Sequence, residues 1–370
     1  MTSVSWDAVR ARRLERQSLL ARSGDPVEVA RATCGIHAQV QASAELQLAA
    51  RIDGITQQHV RDALWRDRTL VKAWTVRGTL HLHPADELPL WLAANRAVAA
   101  EPTGLDAWRD PGGVMHPPVS AEERVELEAA TREAFTGEPL LREQLVDEVV
   151  RRTGTPHEGR LRSGFAFFLS ELCQGPPQGN KITLARPDQW VLRWADVDQE
   201  DALREACRRY IRTYGPVRPV AFREWFAFKG ADALFESMAD ELEEADVDGH
   251  QAFVLSDDTE FPEPRSSVRL LPEYDVYVMG FRERDELVPD AVREQVARHG
   301  RGRYEGPAGV RFLVIDGVTA GLWERKKRGK RIELTVSPAR KLSRTERRRL
   351  DDEAERIGAF LGLEPVLTVG

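Results

Sequence analysis

"TLVKAWTVRGTLHLHPADELPLWLAA", residues 69–94, carries the strongest fold signal in the chain. Apolar and polar residues alternate on both sides of Arg77-Gly78. This predicts two short strands joined by a turn, because alternate side chains of a strand face the same way. Pro84 then favours the first turn of a helix, where its missing N–H group is not needed. The stretch therefore predicts a β-hairpin followed by a helix.

Three predicted helices precede this hairpin, over residues 5–21, 26–35 and 55–66. Asp25 is a favourable N-cap for the second of them, and Pro26 suits its first helical position. Helices followed by a β-hairpin have the order of a winged helix. The first part of the chain is therefore predicted to be a winged-helix unit.

The same order of elements recurs along the chain. The second cycle comprises predicted helices over 120–135, 139–154 and 161–175 and a hairpin over 180–193. Its first helix opens with "SAEE", the beginning of a capping box. A third cycle starts in 200–228, where Tyr214-Gly215-Pro216 separates two predicted helices. Gly and Pro residues in 101–120 are typical of a linker.

The predicted fold class is α+β, with about three tandem winged-helix units and additional β structure towards the C-terminus. The first predicted domain, 1–118, is a winged-helix unit, and the second, 119–200, is another. The third, 201–370, combines a winged-helix unit with a β-rich part that begins near residue 250.

Composition narrows the class of protein. The chain has 370 residues and a net charge of −7, and it has no apolar run of the roughly 18 residues that cross a bilayer. Cys34, Cys173 and Cys207 are far apart and fit no CxxC pattern, which favours reduced cysteines without structural zinc. We expect a cytoplasmic monomer that needs no cofactor, binds no metal and does not contact a membrane.

Positive charge is nevertheless concentrated locally. The segment "GLWERKKRGKRIELTV" predicts a hairpin with Gly329 in its turn. The candidate DNA-binding cations around that turn are Arg325, Lys326, Lys327, Arg328, Lys330 and Arg331. Six like charges repel one another, so duplex DNA is the expected partner, since each phosphate contact also releases counterions. The alternative is a solvated hairpin whose charges only keep it soluble.

His81 and His83 are two residues apart in the predicted hairpin and would share one face of a strand. A metal pair is geometrically possible, but further ligands at a recognisable spacing are missing. We therefore interpret the two histidines as structural or DNA-facing residues of the hairpin.

The segment "GIHAQVQAS", residues 35–43, places Gln39 and Gln41 on either side of Val40. In a helix such residues point about 200° apart, whereas in an extended segment they point the same way. We therefore expect the pair at a helix end, with Val40 packed behind it. By itself the motif also fits an ordinary polar turn.

Several segments together resemble one family. "HAQVQAS", "LVKAWTVRGTLHLHPADE", "YGPVRPVAFREW" and "VRLLPEYDVYVMGFRERDELVP" are similar to the winged-helix superfamily of bacterial DNA glycosylases of the AlkZ type, across nearly the whole chain. Within it, HAQVQAS looks like the motif Gln, apolar residue, Gln that marks one branch. The resemblance implies tandem winged helices around duplex DNA and monofunctional excision of N7-alkylated purines. It makes Gln39 and Gln41 the catalytic pair, and it implies bulky natural-product adducts or interstrand crosslinks as lesions in antibiotic self-resistance.

Two other functions remain open at this point. Winged helices commonly bind DNA without chemistry, so a transcription regulator is the main alternative. A hydrolase that uses Glu273 and Asp275 of "LLPEYDVYVMG" is the other. The latter segment looks like the entry to a buried strand, and Asp275 is expected to be structural.

Overall fold

A computed structural model describes residues 2–99, 104–164, 171–302 and 306–370. The chain mixes helices and strands, as the predicted α+β class requires. It divides into two compact units, the first formed by 1–62 together with 204–370 and the second by 63–203. These units do not coincide with the predicted segments 1–118, 119–200 and 201–370, because the N-terminal residues pack with the C-terminal half of the chain.

The secondary structure is as follows for the described residues. In chain order the α-helices are α1 (Trp6–Arg16), α2 (Pro26–Ala32), α3 (Gln41–Arg51), α4 (Gln57–Trp65), α5 (Leu88–Val98), α6 (Ala121–Glu133), α7 (Arg142–Thr153), α8 (Glu158–Gly164), α9 (Pro187–Trp190), α10 (Gln199–Tyr214), α11 (Pro219–Phe226), α12 (Ala231–Ser237), α13 (Val276–Gly280), α14 (Arg284–Leu287), α15 (Asp290–Arg298) and α16 (Arg344–Leu361). The strands are β1 (Thr2–Val4), β2 (Ile36–His37), β3 (Leu70–Trp74), β4 (Leu80–Pro84), β5 (Trp108–Arg109), β6 (Met115–His116), β7 (Leu140–Leu141), β8 (Cys173–Gln178), β9 (Lys181–Ala185), β10 (Leu242–Val247), β11 (His250–Leu255), β12 (Val268–Leu271), β13 (Phe312–Ile315), β14 (Val318–Arg328), β15 (Arg331–Pro338) and β16 (Glu364–Val369).

Side-chain caps explain where several helices begin and end. The Asp25 carboxylate accepts a hydrogen bond from the Val27 amide, so the predicted cap of α2 is confirmed. Ser120 and Glu123 form the predicted capping box of α6, each accepting from the backbone of the other. Gly154 ends α7 with a φ of 63°, a left-handed conformation that glycine adopts without a steric penalty.

The first unit is built around a sheet in the order β12-β13-β14-β15-β16. Its neighbours are antiparallel except β15 and β16, which are parallel and joined by α16. A parallel pair needs such a crossover helix. A buried cluster that includes Tyr277, Phe281, Phe312 and Leu322 forms a core of this unit. A smaller sheet of the same unit has the order β1-β10-β11.

The second unit contains strands in the order β4-β3-β8-β9-β7. The pairs β3–β4 and β8–β9 are antiparallel hairpins. Their core consists of buried residues from the strands and from the two helices α5 and α9, among them Val71, Leu88, Cys173 and Trp190.

The predicted recurrence of helices followed by a hairpin is confirmed in the order of elements. Helices α2, α3 and α4 precede the hairpin β3–β4, and helices α6, α7 and α8 precede β8–β9. A third set, α10, α11 and α12, precedes β10–β11. In the second set β7 pairs with β9, and in the third Val217 bridges to Phe253 of β11. The second hairpin thereby gains a short third strand from its own set, and the third hairpin gains a single bridging residue.

Three predicted elements need correction. The hairpin predicted over 180–193 is wrong. Strand β9 pairs with the preceding strand β8, and Pro187–Trp190 is helical. Of the helix predicted over 161–175, α8 ends at Gly164, residues 165–170 lie outside the described residues, and Cys173 begins a strand. The predicted linker 101–120 contains the antiparallel pair β5–β6, although its residues 101–103 are also outside the described part.

A buried ion pair ties α3 to the turn before α13. Arg51 donates to both carboxylate oxygens of Asp275, at 2.8 and 2.7 Å, and neither side chain is exposed to solvent. Asp275 also caps α13 by accepting from the Tyr277 amide. The structural role expected of Asp275 is therefore confirmed, which removes the support for a hydrolase that uses this carboxylate.

The three cysteines lie in the cores of the units. Cys34, Cys173 and Cys207 are buried thiols that form no disulfide. Burial raises the pKa of the Cys173 and Cys207 thiols well above the usual range, because the thiolate would lose its hydration.

We expect Asp275→Ala to lower the free energy of unfolding by about 3–5 kcal/mol, since it leaves the Arg51 charge buried without a counter-ion. Urea unfolding measures the change. Glu364→Ala is the control, because Glu364 pairs with Arg331 on the surface, where such pairs contribute less than about 1 kcal/mol. Equal losses in the two variants would contradict the role given to the buried pair.

We also expect native Cys173 and Cys207 to resist iodoacetamide at pH 8, where a raised pKa keeps both thiols protonated and burial keeps the reagent out. Mass spectrometry of the alkylated protein, with and without urea, measures this. Labelling of either residue at the same rate in the two conditions would show that its thiol is accessible in the folded state.

Candidate functional site

Gln39 and Gln41 lie where β2 passes into α3. Gln41 is the first residue of α3, and Val40 is its N-cap with extended backbone angles, φ −111° and ψ 109°. The predicted position of the motif at a helix end is therefore confirmed. The expected packing of Val40 is wrong, because its side chain is 36% exposed, beside an exposed Gln39 and a half-buried Gln41.

A buried carboxylate lies directly below Gln41. Glu45, one helical turn along α3, is only 2% exposed. It accepts a hydrogen bond from Gln41 Nε2 at 3.3 Å and another from Gln57 Nε2 at 2.8 Å. Arg61 of α4 completes the group with its Nε 3.5 Å from the same carboxylate. Glu45 was not predicted from the sequence, because no helix was predicted over 41–51. Without a helix, a spacing of four residues does not indicate that Gln41 and Glu45 are neighbours.

Further along α3, a row of buried polar side chains fixes the helix against neighbouring backbone. Ser43 donates to the carbonyl oxygen of Glu273. Gln47 donates to the His37 carbonyl at 2.9 Å and accepts from the Val276 amide at 3.2 Å. Because Ser43, Gln47 and Arg51 are four residues apart, they lie on one face of the helix. This face determines the position of Gln41 at the start of α3.

Charged groups surround the segment that Ser43 contacts. Arg311 donates to both carboxylate oxygens of Glu273, at 2.6 and 3.0 Å. Burial would raise the pKa of Glu273, but the hydrogen bonds and charge of Arg311 outweigh it and hold that pKa below its usual range. Burial, together with the charge of Arg311, lowers the pKa of the Arg325 guanidinium. The charges of Glu273 and Glu45 act in the opposite direction, so Arg325 lies within electrostatic range of the carboxylate below Gln41.

The predicted basic hairpin is confirmed as β14–β15, with Gly329 in the turn at a φ of 60°. The side chains of Lys326, Lys327 and Lys330 are exposed and have no hydrogen-bond or ion-pair partner among the described residues. Arg325 differs from them because it is half-buried at the base of the hairpin rather than at its tip.

The two other cations of this hairpin have acidic partners on the surface. Arg328 is 3.5 Å from Glu333, and Arg331 donates to Glu364 at 2.9 Å. Both pairs are solvent-exposed, so they hold these side chains only weakly and leave them available to a phosphate.

His81 and His83 do not lie on the exposed surface that a DNA contact requires. They are 4% and 0% exposed within the β3–β4 hairpin. His83 Nε2 is hydrogen-bonded to Thr75 Oγ1 at 2.8 Å, and the His83 ring packs on Trp91 with centroids 4.9 Å apart. His81 Nδ1 lies 3.0 Å from the Thr79 carbonyl oxygen. Of the two interpretations of these histidines, the structural one fits this geometry.

Within the described ranges, no cluster of three or more His, Cys, Asp or Glu side chains has the arrangement of a metal site. Nor is any helix of those ranges both long and apolar enough to span a bilayer.

Comparisons with known proteins agree on one family. The family model described as "DNA glycosylase AlkZ-like" matches residues 30–360. A Streptomyces sahachiroi protein named "Interstrand DNA cross-link repair glycosylase" is 31% identical over an aligned length of 379 residues, gaps included. The alignment covers 97% of this chain and 97% of that protein. The solved structure of Streptomyces sahachiroi DNA glycosylase AlkZ matches with a TM-score of 0.78 and 27% identity, over 100% of both chains.

Proposed function

The chain belongs to the AlkZ-like DNA glycosylase family, and we propose that it hydrolyses the N-glycosidic bond of N7-alkylated guanine in duplex DNA. The observation that carries the proposal is the pair formed by the exposed Gln39 and the half-buried Gln41 at the start of α3. The two amides stand on an extended turn, where both can face a bound nucleotide. We propose that these two residues are the catalytic pair and that no cofactor takes part.

Two neutral amides suffice because the leaving group is already activated. Alkylation at N7 makes guanine cationic, so its departure as a neutral base needs no strong general acid. The oxygen of a water bonds to C1′, the C1′–N9 bond breaks with its electron pair passing to the base, and the water releases its proton to the solvent. The N7-alkylated base leaves as a neutral molecule. Amide oxygens can accept hydrogen bonds from that water and face the positive charge that develops on the sugar. An undamaged guanine, which lacks the cationic charge, would leave too slowly to be excised.

The lesion class follows from the same chemistry and from the related protein. That relative is named for repair of interstrand crosslinks. In a crosslink held by two N7 attachments, hydrolysis of one glycosidic bond releases one strand. We propose that bulky natural-product adducts or crosslinks are among the substrates and that the enzyme serves self-resistance. We also propose that it acts as a monomer in the cytoplasm, on the chromosome.

The proposed DNA contacts rest on the recurring order of elements and on the basic hairpin. Three sets of helices followed by a hairpin fit tandem winged helices, an architecture that commonly holds duplex DNA. The exposed cations at the tip of β14–β15 would neutralise phosphates. A transcription regulator would use similar units, but it would have no need of an amide pair above a buried carboxylate.

The decisive experiment is the release of 7-methylguanine from methylated duplex DNA by the purified protein. We expect Gln39→Ala and Gln41→Ala each to lower the single-turnover rate by about 10²-fold or more, the usual effect of losing one positioned transition-state contact. Chromatography of the released base measures the rate. The unfolding temperature and the DNA affinity should stay near those of the wild type, because the amides are at the surface.

Gln58→Ala is the matched control, since Gln58 is an exposed glutamine that bonds Asp62 on α4. Its excision rate should equal that of the wild type. Wild-type rates in both motif variants would contradict the assignment of Gln39 and Gln41. Sequence-specific binding without any base release would favour the regulator.

A further prediction concerns the tip of the hairpin. Changing Lys326, Lys327 and Lys330 together to Ala should weaken binding to any duplex and flatten its salt dependence, by about 0.9 in the log–log slope for each phosphate that is no longer neutralised. Fluorescence anisotropy across a salt series measures this. Excision of 7-methylguanine at saturating protein should persist, because the amides remain in place.

The control for this variant replaces three exposed lysines outside the hairpin, Lys181, Lys229 and Lys341, by Ala. It changes the net charge by the same amount. If both triple variants flatten the slope equally, the effect comes from net charge and the hairpin has no special contact with phosphates.

A further inference from the structure

The buried carboxylate of Glu45 determines which end of the Gln41 amide points inwards. Two amide donors and one cation from two helices converge on the carboxylate. Gln41 Nε2 of α3 and Gln57 Nε2 of α4 donate hydrogen bonds, and Arg61 of α4 forms an ion pair with its Nε at 3.5 Å. A carboxylate only accepts hydrogen bonds, so each amide must offer its NH₂ group and not its oxygen. The Gln41 amide thus has its nitrogen directed inwards, and its oxygen is the atom directed away from Glu45.

This orientation matters for the proposed reaction. The last torsion of a glutamine side chain is broad and roughly two-fold, so a half-buried amide without such a partner can present either its oxygen or its NH₂ group. An NH₂ group would place positive partial charge against a sugar that becomes cationic, and it could not accept a hydrogen bond from the water. Only the orientation with the oxygen towards the substrate stabilises the transition state.

We propose that Glu45 is a positioning residue for the glycosylase reaction, which selects the amide orientation in which Gln41 Oε1 faces the reacting water and C1′. The proposal rests on the function proposed above for Gln41. Glu45 does not touch the substrate, because it is almost fully buried beneath that side chain. Gln57 and Arg61 hold the carboxylate in place from the neighbouring helix.

Glu45→Gln tests the proposal, because it keeps the size of the side chain and removes one of its two acceptor oxygens. The negative charge is lost, and one acceptor oxygen remains for the two amides of Gln41 and Gln57, so the preference of the Gln41 amide for one orientation is weakened. We expect the single-turnover rate of 7-methylguanine release at saturating protein to fall at least about tenfold, since small misplacements of reacting groups have large effects on rate. The dissociation constant for methylated duplex should stay unchanged.

A double-mutant cycle separates positioning from other roles. If Glu45 acts through Gln41, adding Glu45→Gln to Gln41→Ala should cause no further loss, because the amide to be oriented is already gone. A further loss of the size seen in the wild-type background would overturn the proposal. It would mean that the charge of Glu45 acts on the sugar independently.

Nuclear magnetic resonance gives a second readout that does not depend on activity. The side-chain NH₂ signals of Gln41, identified by their disappearance in Gln41→Ala, should shift in Glu45→Gln as the hydrogen bond to the carboxylate is broken. Unchanged signals would also overturn the proposal. Glu353→Gln is the control for loss of a buried carboxylate, since Glu353 is 4% exposed and pairs with Arg22 and Arg356. It should lower the unfolding temperature but leave the rate and the Gln41 signals unchanged.

The cycle also distinguishes the two proposals from each other. If Gln41→Ala excises as fast as the wild type, the proposed function of Gln41 fails, and the role of Glu45 fails with it. If Gln41→Ala is slow while Glu45→Gln retains the wild-type rate, only the positioning role of Glu45 is wrong.

Discussion

The ion pair between Arg51 and Asp275 is the constraint on which the site depends. It fixes the C-terminal end of α3 to the turn that follows β12, and both side chains are completely buried. Gln41 begins the same helix ten residues earlier, about 15 Å away at 1.5 Å per residue. Replacing a buried pair by apolar residues is often neutral for stability. We therefore attribute to this pair a role in positioning rather than in stability. Its bidentate geometry forms only when α3 lies at one position along the turn.

The start of α3 also contacts the same turn. Ser43 donates to the Glu273 carbonyl, and Gln47 bonds the His37 carbonyl and the Val276 amide. A helix held at three successive turns cannot rotate, so the first residue of α3 has a defined direction. Glu45 adds the last level of order, because it acts on the side chain of Gln41 rather than on its backbone. For the catalytic role proposed for Gln41, a neutral amide needs such support more than a charged group would, since an amide has two nearly isosteric ends with opposite polarity.

Local signals in the sequence predicted the parts of the fold that local interactions determine. Strand alternation located β3 and β4, and the caps at Asp25 and Ser120 located two helices. The helix α3 was not predicted, although it begins within the motif. The helix is buried on nearly all sides, and the polar residues Ser43, Glu45, Gln47 and Arg51 alternate with buried alanines and leucines. It therefore shows no single apolar stripe of the kind that marks an amphipathic helix.

The compact units could not be predicted from local patterns for a related reason. Residues 1–62 pack with 204–370, and contacts across such a separation leave no periodicity in either segment. Burial of His81 and His83 was likewise hidden, because a histidine in a strand is compatible with solvent, DNA or a packed interior. Only the residues that surround the ring decide between them, and for His83 these are Thr75 and Trp91.

The basic hairpin shows how structure changes the meaning of a run of like charges. In the sequence six cations around one turn repel one another, and this repulsion was the argument for an anionic partner. In the folded hairpin the two-residue period of β14 directs Arg325 to the same face as the buried Trp323, towards the charges of Glu273 and Glu45.

Two more of the six cations meet carboxylates on neighbouring strands, which leaves Lys326, Lys327 and Lys330 as the charges without an acidic partner in the described part of the chain. These three lysines are the cations best placed for a phosphate contact, whereas Arg328 and Arg331 must first leave weak ion pairs on the surface. Three such charges at the end of a narrow hairpin can contact only a few phosphates. For the duplex substrate proposed above, further phosphate contacts would have to come from other parts of the protein, such as the other proposed winged-helix units.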